Sequence, residues 1–253
     1  MTRSIENKVH ETLSQLGSST GSHKKKSVTL ETVFPENPAW QPQVVDPGRG
    51  ERMAYDGCIG GYGCCYAAFY SIIGQMAEKY GAPYKDFPFH SMKAGRSGVG
   101  GWESTCGALT GAAFAYGLFY EKKEHNELVR ELFQWHDVTA LPVYRPAVNC
   151  KLDVDIPTSI SGNVLCTTSK ARWAYVSGFP VKSKECSERC ARLTADVARK
   201  AIEILNAKID GTFVPTVDKN AKMQCDLSTD STQDDAGSVI LVKQPEFRSV
   251  KAG

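Results

Sequence analysis

The chain has 253 residues, a formal net charge of +2, and nine cysteines against five histidines. A balance this close to neutral excludes the strongly basic surface of a nucleic-acid binder and offers no charge handle to an anionic membrane. No apolar run approaches the roughly 20 residues of a membrane span, so the composition predicts a soluble protein with a main domain and a smaller appendage.

Taken in chain order, Met1 to Leu16 is polar, lacks the apolar centre of a secretory signal and has no twin-arginine pair, which predicts the cytoplasm. Apolar side chains at Ile5, Val9, Leu13 and Leu16 fit a short amphipathic helix. Gly17 to Lys26 reads as a flexible linker, and the prolines from Pro35 to Pro47 predict an extended segment wrapping the body. Cys65, Phe69, Ile72, Ile73, Met76 and Tyr80 then fall on one face of a helix ending at Gly81, with Cys64 about 100° round from that face. Gly95 to Gly101 is too rich in glycine for a regular element. A helix follows from about Thr105 to Tyr120, whose Gly107, Gly111 and Gly117 let another helix approach closely.

A third helix is expected over Glu124 to Trp135, with Leu128, Leu132 and Trp135 inward. Pro142, Pro146 and Pro157 break the chain around Cys150. The last helix, Ser187 to Ile209, carries Cys190, Leu193, Val197, Ala201, Ile204 and Leu205 on one side. Ser238 to Val242 reads as a short closing strand. Strands do not alternate regularly with helices, so the fold is expected to be mainly α: a bundle-like helical core with long Gly/Pro-rich connections and a small irregular C-terminal region. Residues 1–50 are read as the N-terminal helix and arm, 51–211 as the cysteine-rich helical domain and 212–253 as an irregular tail.

An odd count of nine cysteines cannot be fully paired within one chain. In a reducing compartment that many thiols point to metal ligation or redox work, the plain alternative being small buried apolar side chains. Cys65 and Cys106 begin helices, Cys190 is expected in the first turn of the last one, and Cys150 lies in a loop. Helix N-termini favour thiolates, and three converging starts would make a cationic pocket suited to an anionic iron–thiolate cluster. Cys58 and Cys64 flank the turn Gly60 to Gly63, Cys186 and Cys190 share a helix face four residues apart, and Cys166 could complete that set. There is no C-x-x-C pair and no C-x-x-C-H, which disfavours thioredoxin chemistry, structural zinc knuckles and covalent c-type haem.

The histidines are expected to be ordinary surface groups, His90 alone being a candidate cofactor contact. Tyr62, Tyr66 and Trp102 are expected to wall off solvent. No P-loop or nucleophile elbow is present.

Gly63-Cys64-Cys65-Tyr66-Ala67-Ala68-Phe69, the stretch Thr105-Cys106-Gly107-Ala108-Leu109-Thr110-Gly111-Ala112, the single Cys150 and the pair Arg189-Cys190 resemble the redox-active family named for its C…GCAxxG…C…C pattern. Trp102 before Cys106, Cys166 before Trp173, and Glu188-Arg189-Cys190-Ala191-Arg192-Leu193 extend the resemblance, over roughly Ala54 to Cys225, to the split-Soret cytochromes and their relatives. The resemblance implies a largely helical, homodimeric protein that binds iron–sulfur clusters through cysteines and exchanges electrons with a redox partner protein. It carries the family's cysteine pattern onto Cys65, Cys106, Cys150 and Cys190, and less closely onto Cys166 and Cys186. The cytochromes' haem-attachment motif is reduced here to Met223-Gln224-Cys225-Asp226-Leu227-Ser228-Thr229, with one cysteine and no histidine, so no haem is expected. With Cys225 set aside, Cys58, Cys64, Cys65, Cys106, Cys150, Cys166, Cys186 and Cys190 are the candidate ligands. The alternative reading is a thiol–disulfide oxidoreductase using Cys64 with Cys65, or Cys186 with Cys190.

Overall fold

The structure, a computed structural model, describes residues 40–147 and 150–220. The expected N-terminal helix, the linker and the closing strand lie outside these residues. Six α-helices account for most of them: α1 (Pro47–Ile59), α2 (Cys64–Tyr80), α3 (Gly107–Gly117), α4 (Lys122–Val138), α5 (Cys166–Ser177) and α6 (Lys184–Ile209). Two short 3-10 helices, Tyr84–Asp86 and Phe89–Gly95, join α2 to the glycine-rich turn. The sheet has two strands, β1 (Ala140–Leu141) and β2 (Ser159–Ile160), paired antiparallel with Ala140 opposite Ile160. The fold is therefore mainly helical. Among the described residues no helix is long and apolar enough to cross a membrane.

The hydrophobic stripe of α2 forms the centre. Cys65, Phe69, Ile72, Ile73 and Met76 are buried, whereas Tyr80 turns outward and is 42% exposed. Around α2 pack α1, α3 and α6, and α4 closes against α3 and α6. Two glycines permit close approaches between helices: a Cβ on Gly111 would stand 2.2 Å from the Cys65 carbonyl oxygen, and one on Gly50 would stand 2.2 Å from Ile202 Cδ1. At Gly117 the neighbouring helix α4 leaves room for a side chain: an added Cβ would lie 3.7 Å from His125 Nε2, an ordinary contact.

Two helices were not read from periodicity. Helix α1 carries a plain start signal in Asp46-Pro47: the Asp46 carboxylate accepts the N–H groups of Gly48 at 2.8 Å and Arg49 at 3.2 Å, and Pro47 needs no donor partner at N1. Helix α5 has no continuous apolar stripe, because Cys166, Ser169 and Trp173 form its buried side. The last helix begins at Lys184, capped by Ser183 Oγ, which accepts the Cys186 N–H at 3.0 Å. Cys186 thus occupies the first turn and Cys190 the second, one turn later than expected. His136 is fully buried rather than at the surface.

Asp196 ties the chain after β1 to α6. Its buried carboxylate accepts the N–H groups of Val143 and Tyr144, each at 2.9 Å. Burial raises its pKa from 3.8 to about 7. The folded chain therefore holds this proton more tightly than the unfolded chain. The group is most favourable below pH 4 and loses stability as pH rises to about 7, by roughly 4 kcal/mol at 1.36 kcal/mol per unit. Urea unfolding of the wild type and Asp196→Asn across that window should show the variant's pH profile flattened by this amount; parallel profiles would contradict the assignment.

Candidate metal centre

Backbone pairing brings two helix starts side by side. The segments before α3 and α5 form an antiparallel bridge, with Cys106 N–H donating to the Val164 carbonyl at 2.8 Å and Cys166 N–H to that of Ser104 at 2.6 Å. Cys106 is the N-cap of α3 and Cys166 the first residue of α5. Cys64 opens α2 after Gly63, whose φ of 88° is a glycine conformation. Cys58 lies in the last turn of α1, and Cys186 and Cys190 lie one turn apart on α6.

These six thiols, Cys58, Cys64, Cys106, Cys166, Cys186 and Cys190, line a single cavity of about 280 Å³. They come from five helices, four of which present their N-terminal ends, where free N–H groups and partial positive charge favour thiolate. Bare backbone completes the wall at Gly61, Gly63 and Gly107. A Cβ on Gly107 would stand 2.4 Å from Cys64 Sγ.

The other two candidates point elsewhere. Cys65 fills the core between α2 and the turn at Gly95, where an added Cβ would lie 2.4 Å from its sulfur. Cys150 donates to the Leu152 carbonyl at 3.1 Å and has Arg192 Nη2 at 3.6 Å, in a network that also joins Glu188 to Arg192 at 2.7 Å and to the Tyr55 hydroxyl at 2.9 Å. Neither sulfur lines the cavity. His90 is exposed beside Tyr66 and also stays outside it. The expected solvent screen is absent at Trp102, which is 87% exposed. Tyr62 stacks on Tyr66 along the outside of α2 instead.

The glycine-rich turn has a specific task. Ser97, Val99 and Glu103 hold positive φ values of 50°, 59° and 61°, a costly conformation for non-glycine residues and more so for a β-branched one. The turn is pinned by Ser104 Oγ donating to the Gly98 carbonyl at 2.9 Å, and it delivers the Ser97 N–H to the Cys64 sulfur. The N–H of Ala108 serves Cys106 in the same way.

Burial raises the pKa of Cys58, Cys64, Cys106 and Cys166, in Cys166 to about 12, and the neighbouring sulfurs, Cys64 and Cys190 above all, add to the shifts. Cys186 and Cys190 share a hydrogen bond that raises the first and lowers the second; the nearby Arg189 guanidinium also lowers Cys190. Crowded thiols that oppose one another's ionisation are what a polycationic occupant would relieve, because a metal replaces the protons. Among the described residues no three His, Cys, Asp or Glu side chains converge on a single-ion site; the sulfurs are spread around the cavity wall.

Polar groups that periodicity could not single out also line the cavity, among them Arg189, Ser169, Lys170, Thr194 and the Glu188 carboxylate. Lys170 forms an ion pair with Glu103 across the cavity's edge. Thr194 Oγ1 donates to the Cys190 carbonyl at 2.7 Å and stands 4.0 Å from Cys58 Sγ.

Residues 64–204 match the family described as "Putative redox-active protein (C_GCAxxG_C_C)". Over 173 residues the chain is 47% identical to split-Soret cytochrome c of Desulfovibrio desulfuricans (strain ATCC 27774), a match taking in 68% of this chain and 62% of that protein. The chain thus spans less than two thirds of that relative's length. A solved structure of the cytochrome, described as having a novel iron centre, aligns with a TM-score of 0.69 at 46% identity, over 72% of this chain and 78% of the other.

Proposed function

The chain belongs to the C_GCAxxG_C_C family of redox-active proteins, and from that membership we propose that its six-thiol cavity holds an iron–sulfur cluster that stores or passes electrons. The single observation that carries the proposal is the convergence of Cys58, Cys64, Cys106, Cys166, Cys186 and Cys190 on one cavity. Six cysteines around one cavity can supply thiolates to more than one iron, as a polynuclear centre requires. An iron–sulfur cluster supplies reversible electron exchange at a potential set by charge, hydrogen bonds to sulfur and burial.

The chain's own residues fit that role. Ser97 and Ala108 N–H groups aim at Cys64 and Cys106 sulfurs, while Ile59 and Leu193 give the cavity wall apolar surface. In this reading the centre is haem-free, which the single cysteine and missing histidine of Met223 to Thr229 support. The protein works as a homodimer that exchanges electrons with a partner protein in the cytoplasm, where free thiols persist.

Thiol–disulfide exchange has one observation in its favour: the free thiols of Cys186 and Cys190 share a hydrogen bond, with Cys190 the readier thiolate. Four further thiols in the same cavity have no part in that chemistry. Anaerobically purified protein should show broad visible absorption that bleaches on reduction. A colourless protein with rapidly alkylated thiols and disulfide-reductase activity would favour exchange.

A further inference from the structure

Arg189 is the one buried cation at the cavity without a carboxylate. It is 1% exposed, and among the described residues it forms no ion pair. The neighbouring carboxylates are already bonded elsewhere, Glu188 to Arg192, Glu103 to Lys170, and Asp196, two turns along α6, to the N–H groups of Val143 and Tyr144, which leaves the Cys190 sulfur of the cavity as the anionic group that Arg189 favours. Arg189 Nη2 donates to Ser169 Oγ at 2.8 Å, and Ser169 Oγ lies 2.8 Å from Ser161 Oγ, so a buried hydroxyl pair fixes the guanidinium plane. Its Nε, also buried, has no partner. A buried charge of this kind is costly unless an opposite charge meets it.

We infer that Arg189 is the charge-setting residue of the centre: its guanidinium, bonded to Ser169, is held for the net negative charge of the thiolate-ligated centre as a whole and favours that centre's reduced state. The inference rests on the iron–sulfur reading and deepens it. Cysteine thiolates around iron and sulfide carry net negative charge, and each added electron makes it more negative. A fixed cation beside Cys190 therefore raises the potential. Lysine preserves the charge but loses the planar fork that serves Ser169 and the cavity together.

The test is an EPR-monitored redox titration of the wild type, Arg189→Lys and Arg189→Met, with urea unfolding of the three metal-free proteins alongside. Arg189→Met is expected to shift the one-electron equilibrium at least tenfold towards the oxidised form, about 59 mV to more negative potential, and Arg189→Lys by clearly less. Metal-free Arg189→Met is expected to be no less stable than metal-free wild type, because it removes a buried charge that lacks a carboxylate. If the Met variant takes up no iron, the inference stands provided its metal-free form is equally stable and the Lys variant loads. It is overturned by an unchanged potential in Arg189→Met, or by metal-free destabilisation that lysine does not rescue. Wild-type protein that holds neither iron nor sulfide refutes the iron–sulfur reading itself, a separate result.

Discussion

Replacing Cys190 by serine is expected to abolish stable iron binding, whereas Cys65→Ser and Cys150→Ser retain it. Cys190 lines the cavity one turn from Cys186, with which it shares a hydrogen bond, and beside the Arg189 guanidinium that favours its thiolate. A hydroxyl at this position is a far poorer ligand than a thiolate for soft iron–sulfur centres. The loss should exceed the roughly 10–100-fold in affinity that removal of a supporting contact costs. Cys65→Ser buries a hydroxyl in the α2 core and should cost about 1–3 kcal/mol of stability with iron content intact. Iron analysis of the three purified variants decides the matter. Iron retained in Cys190→Ser and lost in Cys65→Ser would place the ligands in the core stripe and not in the cavity.

Trp173→Ala should give the largest stability loss among substitutions outside the thiol set, about 3–5 kcal/mol. The indole is fully buried on α5, stacks on Phe179 with ring centroids 6.1 Å apart, and packs in one cluster with Ile156 and Cys186. Its Nε1–H donates to the Pro157 carbonyl at 2.8 Å. This side chain therefore joins the helix that starts with Cys166 to the one that carries Cys186. Trp173→Phe keeps most of the packing and loses the hydrogen bond, so it should cost about 1 kcal/mol beyond the small volume change. Denaturant unfolding of the two variants measures the difference. Equal losses in both would show that the hydrogen bond dominates, not the packing.

How much of this was legible in the sequence depends on which physical signal each part leaves. Helices α2, α4 and α6 bury one stripe against the body, so their 3.6-residue periodicity could be read directly. Helix α5 buries Cys166, Ser169 and Trp173 at i, i+3 and i+7, a face with a polar member in its middle and too few apolar ones to stand out, and α1 advertised itself only through the Asp46-Pro47 cap.

The cysteines divide the same way. Helical spacing put Cys65 on the core face and Cys64 about 100° away, and that geometry already separates the sulfur that packs from the one that faces the cavity. A match to a family pattern records which cysteines recur in order, and it carries no statement of where each sulfur points. Cys58 and Cys166 reach the cavity through α1 and through the bridge between residues 105 and 165, a tertiary pairing that no local spacing encodes. Arg189 was visible only as part of a motif. Its meaning comes from the missing carboxylate, and only three-dimensional packing reveals that absence.

The most direct test of the central claim is the iron and acid-labile sulfide content per chain of anaerobically prepared protein, with EPR of the reduced sample. The thiol cavity predicts that both elements are present in comparable amounts and give a paramagnetic signal on reduction. Protein that takes up neither after incubation with ferrous iron and sulfide, while remaining folded, would contradict it.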